Sequence, residues 1–335
     1  MMDASISVKK DWNIVGHAWA VDMLRQHVAR GTMRHAYLFT GQRGVGRRTL
    51  ARRFAQALNC PQPIEPGVPC GVCDDCRRIE AGQHPDVTVI EAEAEGGTLK
   101  IEQVREQRRL ITLKPFQSRY RVAIFARFQE SNDAAANALL KTLEEAPAHA
   151  VLILTAESPE GLLPTIVSRC EVLRLQPASL AEVQELLEQR GAGPDNARLL
   201  AHISAGCPGA ALRLMQDPEA LTYRSEKLGE LMSLLPGTRA YRFAYAEKLA
   251  KDKTAMRGVL LLWLSFWRDV LWRAGGATTP IANVDHQEQI DSLAKRLGLS
   301  HARRLVEDLD RSLRRLESNV NPRLLAEVLL LDWPH

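Results

Sequence analysis

The first half of the chain alternates short apolar runs with stretches of helical periodicity. AYLFT at 36–40, RVAIFA at 121–126 and AVLILTA at 150–156 predict buried strands, and DVTVIEAE at 86–93 alternates like a half-buried strand. Apolar residues recur at helical spacing in four other segments, at 18–30, about 49–58, 101–111 and 134–145. Strands that alternate with helices predict a parallel sheet with helices on its faces, which binds ligands at the carboxyl ends of its strands.

The strand pattern stops near Ser179. The segment 179–191 opens with a serine that can cap a helix and closes with glycine, and helical spacing continues around a Gly-Cys-Pro-Gly break. From about Pro218 onward the pattern predicts long amphipathic helices with one loop at 274–285. We therefore expect three domains: an α/β domain at 1–176, a small helical domain at 177–216 and a C-terminal helical domain at 217–335.

The bulk composition is that of an ordinary globular protein. Its 45% hydrophobic and 25% charged residues are ordinary values for such a protein. Its length of 335 residues exceeds what one hydrophobic core usually supports, so more than one domain is expected. The first dozen residues lack the apolar core of a signal peptide, and the longest apolar run, GVLLLWLSFW at 258–267, ends at Arg268 and Asp269. We expect a cytoplasmic protein in which that run is a buried helix. The net charge of +4 decides little about nucleic acid.

A glycine-rich loop joins the first predicted strand to the next helix. Gly41, Gly44 and Gly46 supply the kind of turn whose N–H groups can converge on phosphate. A working phosphate loop continues with lysine, for the phosphate charge, and then with a hydroxyl residue, for Mg²⁺. This chain has Arg47 and Arg48 there, and the planar guanidinium does not fit the cradle of a compact ammonium. We expect a structural turn, with weak residual anion binding left open.

The second half of an ATPase site is missing as well. Hydrolysis at such a site needs an acidic pair at the end of a second strand, where it holds Mg²⁺ and polarises water. The apolar strand at 121–125 runs instead into Ala126 and Arg127. The sequence therefore predicts that this chain does not hydrolyse ATP.

Four of the six cysteines are clustered with the spacing C-x9-C-x2-C-x2-C. They are Cys60, Cys70, Cys73 and Cys76. Thiolates at such spacing in a cytoplasmic chain suit tetrahedral Zn²⁺, and a site filled by four protein sulfurs is structural because it leaves no position for water. Four unrelated reduced cysteines are the alternative, which the clustering makes less attractive. We expect the isolated Cys170 and Cys207 to be small buried hydrophobic residues.

Taken together, these segments resemble the bacterial clamp-loader branch of the AAA+ proteins over nearly the whole chain. The most specific are NALLKTLEE at 137–145 and the cysteine insert at 60–76. The others follow the order of that family and are HAYLFTGQRGVGR at 35–47, HPDV at 84–87, SRC at 168–170 and NPRLLAEVLLL at 321–331. The resemblance implies an AAA+ α/β domain, a helical lid and a helical oligomerisation collar.

The resemblance is to a non-hydrolysing member of that family. Its motor subunits have an Asp-Glu pair at the positions of Ala126 and Arg127 and a sensor arginine near Gly209, where this chain has none. The retained Ser-Arg-Cys motif implies that Arg169, next to Ser168, is an arginine finger that reaches into the ATP site of a neighbouring motor subunit. A rigid, bidentate cation can stabilise the charge that spreads over a transferring phosphoryl group.

The resemblance also implies a set of partners. They are the delta and tau or gamma subunits of a hetero-pentamer, which opens the sliding clamp and places it on primed DNA at the nucleoid-associated replisome. The activity of a DNA-directed DNA polymerase would belong to other chains of the DNA polymerase III holoenzyme.

Two other functions are compatible with parts of the sequence. An atypical, ATP-hydrolysing motor subunit of the tau/gamma type is opposed by the missing carboxylates. A zinc-stabilised adaptor outside replication is opposed by the presence of NALLKTLEE together with SRC. Direct DNA contact by Arg105, Arg108 and Arg109, on one face of a predicted helix, is a separate hypothesis, and solvated surface arginines are the commoner arrangement.

Overall fold

The computed structural model describes residues 12–94, 96–318 and 320–334. The segment before Trp12, on which the expectation about a signal peptide rests, lies outside these residues. The chain folds into two compact units: Met1–Leu186 with Gly206–Ala210, and Leu187–Ala205 with Ala211–His335. The division into three domains stays a prediction.

The first unit is built on a five-stranded parallel sheet. Its strands are β1 (Ala36–Thr40), β2 (Val87–Ile90), β3 (Arg121–Phe125), β4 (Ala150–Ala156) and β5 (Glu171–Arg174). Their order across the sheet is β2-β3-β4-β1-β5, and all neighbouring pairs are parallel. The predicted parallel sheet is confirmed. β5 is not among the predicted strands because its sequence, EVLR, begins and ends with charged residues, so it has no continuous apolar run and no alternation.

Helices flank this sheet on both faces. They are α1 (Ala18–Arg30), α2 (Arg47–Asn59), α3 (Asp74–Ala81), α4 (Ile101–Thr112), α5 (Asp133–Glu144) and α6 (Pro164–Val167). α2 begins before the predicted Thr49, because Gly46, with φ 114°, already turns the chain into the helix. Alternation along β1 places Tyr37 and Phe39 in one core and Leu38 in the other, which confirms a sheet covered on both faces.

The rest of the chain is helical. The helices are α7 (Leu180–Gln189), α8 (Pro194–Ile203), α9 (Pro208–Gln216), α10 (Pro218–Leu234), α11 (Arg239–Leu249), α12 (Lys253–Ala274), α13 (Gln287–Glu317) and α14 (Pro322–Leu331). Ser179 and Glu182 cap α7 reciprocally, so the predicted serine cap is confirmed. α13 is interrupted at Gly298, where φ is 69° and ψ is 173°.

The predicted buried helix at 258–267 lies inside α12. Trp263, Phe266 and Trp267 on this helix are fully buried, and the ring of Trp333 lies 5.0 Å from Trp263 and 5.9 Å from Trp267. Among the described residues, no helix has both the length and the apolar character that crossing a membrane requires. The apolar run therefore serves the core of the second unit.

A buried arginine joins three segments of this second unit. Arg242 of α11 is 1% exposed, and its guanidinium donates hydrogen bonds of 2.7 to 3.1 Å to main-chain carbonyl groups. The carbonyl groups belong to Leu234, Leu235, Leu330, Trp333 and Pro334. The last carbonyls of a helix have no partner within the helix, so Arg242 satisfies groups at the ends of α10 and α14.

Candidate functional site

The glycine loop between β1 and α2 needs its glycines for the turn and for close packing. Gly41, Gly44 and Gly46 have φ values of 146°, 84° and 114°, which L side chains rarely adopt. A Cβ on Gly41 would lie 2.6 Å from the carbonyl oxygen of Leu175, and one on Gly44 would lie 2.7 Å from the amide nitrogen of Ala210. The backbone conformation therefore requires glycine at these positions, and neighbouring backbone fills the space beside Gly41 and Gly44.

The segment around Gly209 packs directly on this loop. The Gly209 N–H donates to the Gly44 carbonyl oxygen at 2.8 Å, and a Cβ on Gly209 would lie 3.0 Å from that oxygen. On another side, His17 Nε2 lies 2.8 Å from the carbonyl oxygen of Val45. At Gly209, where the resemblance predicted that a sensor arginine is absent, the chain makes a backbone contact with the loop. These contacts support the interpretation of the loop as a structural turn.

Arg47, at the lysine position of the loop, is buried. It is 9% exposed, and its Nη1 atom has no hydrogen-bond partner among the described residues. Burial lowers the pKa of Arg47, the charge of Glu157 opposes that effect, and the charge of Arg127 adds to it. The guanidinium therefore sits where a second cation is nearby, which is an unfavourable place for Mg²⁺.

Arg48 and Arg127 are joined by carboxylates of the same chain. Arg48 pairs with both oxygens of Glu91, at 3.1 and 3.2 Å, and Nη1 of Arg127 lies 2.9 Å from Glu91 Oε2. Nε of Arg127 lies 2.9 and 3.0 Å from the two oxygens of Glu130. We call these four residues the ion-pair chain. The ion-pair chain connects Arg48, just after the glycine loop, with Arg127, just after β3. The sequence analysis assigned the metal-binding groups of an ATPase to these two positions, and here both arginines pair with carboxylates of the same chain.

The carboxylates of the ion-pair chain were not found from the sequence. Glu91 directly follows β2 and Glu130 lies in a short turn of 3-10 helix after β3. A carboxylate just beyond a predicted strand is a weak signal by itself. The sequence around Arg127 gives no signal for these ion pairs either. Its φ of 51° marks a tight turn, which is held in part by the hydrogen bond that its N–H donates to Thr155 Oγ1 at 3.0 Å.

Restoring the consensus residues of the loop is expected not to restore activity. In the variant Arg47→Lys with Arg48→Thr, Arg127 still stands where the acidic pair would hold Mg²⁺, and Glu91 stays paired with it. We expect ATP turnover by the purified chain to remain at background, as in the unaltered chain. Turnover above background that requires both Mg²⁺ and the Arg47→Lys change would contradict this prediction, and a parallel assay of an intact motor subunit checks the sensitivity.

The four clustered cysteines converge on one point. Their sulfur atoms all lie within 4.8 Å of one another, with Cys60 Sγ 3.6 Å from Cys70 Sγ and 3.9 Å from Cys73 Sγ. Four sulfurs bound to one tetrahedral Zn²⁺ at about 2.3 Å would be about 3.8 Å apart. The donor set and its spacing therefore fit a single metal ion, and this part of the cysteine prediction is confirmed.

The surrounding backbone holds these sulfurs in place. N–H groups of Cys70, Cys73 and Cys76 donate to the sulfurs of Cys60, Cys70 and Cys73, at 3.3 to 3.4 Å, and the Cys73 sulfur caps the start of α3. Burial opposes ionisation, yet N–H donors from Val72 and Cys73 lower the pKa of Cys70 to about 7. Such donors favour the thiolate form that metals bind.

The other two cysteines differ from each other. Cys207 is 2% exposed, as expected for a small hydrophobic residue. Cys170 is half-buried, which is less than expected, although it packs against the core and burial raises its pKa to about 12. Its position just before the edge strand β5 explains the remaining exposure.

Arg169 follows α6, and its guanidinium contacts two groups of its own chain. Nη2 donates to Oε1 of Glu144 at 2.6 Å, and Nη1 donates to the carbonyl oxygen of Thr165 at 2.9 Å. Ser168 caps the end of α6, and its hydroxyl donates to the same Thr165 carbonyl at 3.2 Å. Ser168 therefore shapes the turn that presents Arg169, whose side chain is 35% exposed.

The arginines of α4 divide between open surface and a shallow cavity. Arg105 and Arg109 are exposed and Arg108 is half-buried. Arg108 and Arg109 line a surface cavity that they share with Lys141 and Thr142 of α5. The structure brings two of the three arginines together with a lysine, while DNA contact stays a hypothesis.

Two family models match the chain. The model described as "DNA polymerase III, delta subunit" matches residues 16–179, and the model described as "DNA polymerase III, delta subunit, C terminal" matches residues 218–335. Together they cover most of both units. The family predicted from NALLKTLEE, the cysteine insert and the other motifs is thereby confirmed.

Relatives of the delta' and tau types match this chain over different lengths. The chain is 29% identical over 314 residues to the DNA polymerase III subunit delta' of Bacillus subtilis, covering 92% of this chain and 93% of that protein. It is 35% identical over 201 residues to the delta' subunit of Pseudomonas aeruginosa, covering 59% of this chain and 61% of that protein.

Similarity to the tau subunit is shorter. The chain is 36% identical over 176 residues to the DNA polymerase III subunit tau of Salmonella typhimurium, covering 52% of this chain and 27% of that protein. It thus spans about a quarter of the tau relative, whereas the delta' similarity to Bacillus subtilis extends over nearly both chains. With its parallel sheet and its helical C-terminal region, the chain belongs to the DNA polymerase III delta subunit family, as a homologue of the delta' subunits.

Proposed function

We propose that this chain is a non-hydrolysing delta' subunit of a DNA polymerase III clamp loader, which supplies Arg169 to the ATP site of a neighbouring motor subunit. The ion-pair chain carries the first half of this proposal. Arg48 and Arg127 occupy the positions that a motor site gives to a metal-binding hydroxyl and a carboxylate, and Glu91 pairs with both. A site filled by its own charged groups does not recruit Mg²⁺-ATP.

The partial exposure of Arg169 supports the second part of the proposal, its role in the ATP site of a neighbouring subunit. Its contacts with Glu144 and Thr165 leave other N–H donors of the guanidinium for an outside acceptor, because arginine has donors on all three nitrogens. An arginine supplied across an interface stabilises the charge of the transferring phosphoryl group. The chain would thus act in trans on ATP that a motor subunit binds.

The cysteine cluster is assigned to structural Zn²⁺ in this proposal. Four sulfur ligands favour Zn²⁺ over harder cations, and a site with four protein ligands has no open position for substrate water. Cys60, Cys70, Cys73 and Cys76 would hold the segment between α2 and α3. Zn²⁺ would supply folding energy to the first unit and no catalytic step.

Partners and place follow from the same proposal. The chain would assemble with delta and with tau or gamma subunits as a hetero-pentamer in the cytoplasm, at the replisome. Through that complex it would act on the sliding clamp and primed DNA. The second unit, with the apolar core of α10 to α14, would form part of the oligomerisation collar.

Replacement of Arg169 tests the proposal. A loader is reconstituted from delta, tau or gamma and this chain, and ATP turnover is compared with that of the same mixture without this chain. We expect Arg169→Ala to remove most of the turnover that this chain adds, since an arginine finger contributes about 10³-fold or more at its own site. Co-elution of the subunits on gel filtration should be unchanged, because the variant removes only a half-exposed side chain.

A matched arginine controls for loss of charge. Arg174 is exposed at the end of β5, on the same segment of the first unit, and Arg174→Ala should leave the added turnover unchanged. If Arg169→Ala and Arg174→Ala both assemble and both show full turnover, the finger is not supplied by Arg169.

A further inference from the structure

The guanidinium of Arg169 is held by two groups that come from different elements. Oε1 of Glu144, the last residue of α5, accepts from Nη2 at 2.6 Å, and the carbonyl oxygen of Thr165 in α6 accepts from Nη1 at 2.9 Å. One contact is ionic and the other is to the main chain. Together they fix both the position and the plane of the guanidinium relative to the first unit.

Glu144 is an unusual choice for its place in the helix. The C-terminal end of a helix carries partial negative charge, so a carboxylate in the last turn of α5 is disfavoured and a cation there is favoured. Arg169 supplies that cation from a segment 25 residues further along the chain. The local helix therefore gives no reason for an acid at this position, whereas the contact with Arg169 does.

We propose that Glu144 is a positioning residue that orients Arg169 for the ATP site of the neighbouring subunit. This inference rests on the proposed function of Arg169. Glu144 itself touches neither ATP nor the motor subunit in this proposal. Its carboxylate accepts one N–H of the guanidinium and turns the remaining donors outward, toward the phosphate oxygens that the neighbour presents.

The physical gain is preorganisation. A free arginine side chain samples many rotamers, and a guanidinium that is already oriented loses less freedom when it binds phosphate. The pair is also easily adjusted, because Glu144 is 48% exposed and Arg169 is 35% exposed, and ion pairs between such side chains are weak. A weak pair orients the finger and still allows the small movement that the transition state needs.

Glu144 variants in the reconstituted loader test this inference. Glu144→Gln keeps the size of the side chain and removes its charge, Glu144→Ala removes both, and Glu145→Gln at the adjacent exposed glutamate is the matched control. ATP turnover is measured at varied ATP concentration with and without this chain. The turnover that this chain adds gives kcat and KM for ATP. Arg169→Ala, alone and combined with Glu144→Ala, is measured in the same series.

We expect kcat to fall about 2- to 5-fold in Glu144→Gln and by at least as much in Glu144→Ala, as for loss of an exposed ion pair. KM, subunit co-elution and thermal stability should stay unchanged, which separates positioning from a structural role. Glu145→Gln should match the unaltered chain, and Glu144→Ala should cause no further loss when Arg169 is already alanine.

The remaining outcomes overturn the inference in distinct ways. If Arg169→Ala lowers turnover while the Glu144 variants behave like Glu145→Gln, Arg169 is the finger and Glu144 does not position it. Higher turnover in the Glu144 variants would mean that the pair restrains the finger. A loss from Glu144→Ala that persists in the Arg169→Ala background would mean that Glu144 acts through another group, and full turnover in Arg169→Ala would remove the proposed function itself.

Discussion

Cys73→Ser should release the bound metal and destabilise the first unit by several kcal/mol. The sulfur of Cys73 lies 3.9 Å from that of Cys60 and caps α3 by accepting the N–H of Cys76. A serine hydroxyl can keep that cap, so the substitution removes the metal ligand alone. Binding of structural Zn²⁺ contributes about 10 kcal/mol or more to small domains that depend on it. The first unit has its own core, so we expect the smaller value of about 4 kcal/mol or more.

Metal content and unfolding by urea check this prediction together. The purified chain should contain one Zn²⁺ per molecule, measured by colorimetric release from the denatured protein, and Cys73→Ser should contain none. Cys170→Ser is the matched control, because that cysteine lies outside the cluster and should leave the metal content unchanged. Equal metal content in Cys73→Ser, or an unfolding midpoint that chelation does not lower, would contradict the assignment.

Arg242→Ala should destabilise the second unit by about 3 to 5 kcal/mol, as expected when a buried, fully paired charged group is removed. The guanidinium donates to five carbonyl groups at the ends of α10 and α14, and these groups would lose their donors in a place closed to water. Burial also lowers the pKa of Arg242, because desolvation disfavours the charged guanidinium. The carbonyl dipoles around it offset that cost.

Tryptophan fluorescence in urea gives the measurement for Arg242. Trp263, Trp267 and Trp333 pack in the same core and report this unit, whereas Trp12 and Trp19 lie in the first unit and give the same signal in every variant. Arg239→Ala, at an exposed arginine in the same helix, should shift the midpoint little, and Arg242→Lys should recover only part of the loss because an ammonium has fewer donors. Overlapping curves for Arg242→Ala and Arg239→Ala would show that the carbonyl contacts do not stabilise the unit.

The two kinds of charged group in the first unit have opposite roles. Arg48 and Arg127 pair with Glu91 and Glu130 within the chain, and in the proposed function these pairs replace the metal-binding groups of an ATPase. Arg169 is paired at one nitrogen with Glu144 and stays half-exposed. In the proposed function the chain hydrolyses no ATP of its own and offers Arg169 to another chain.

Several features could be predicted from the sequence because local rules govern them. Apolar runs of strand length predicted β1, β3 and β4, and the cysteine spacing predicted a converging cluster. Glycines with positive φ mark the loop because side chains rarely adopt that conformation. β5 was missed because its four residues, EVLR, begin and end with charged side chains and give neither an apolar run nor an alternation, whereas the other edge strand, β2, alternates.

By itself the sequence determined four of the five strands with the helices between them, the cluster of four cysteines, and the arginines at the positions that follow the glycine-rich loop. Only the tertiary structure showed which charges meet, because Glu91 with Arg127, Glu144 with Arg169, and Arg242 with the ends of two helices are contacts between distant segments. Periodicity reports which face of an element is buried and carries no record of its partner. The electrostatic role of each arginine is decided by that partner, and so by the fold.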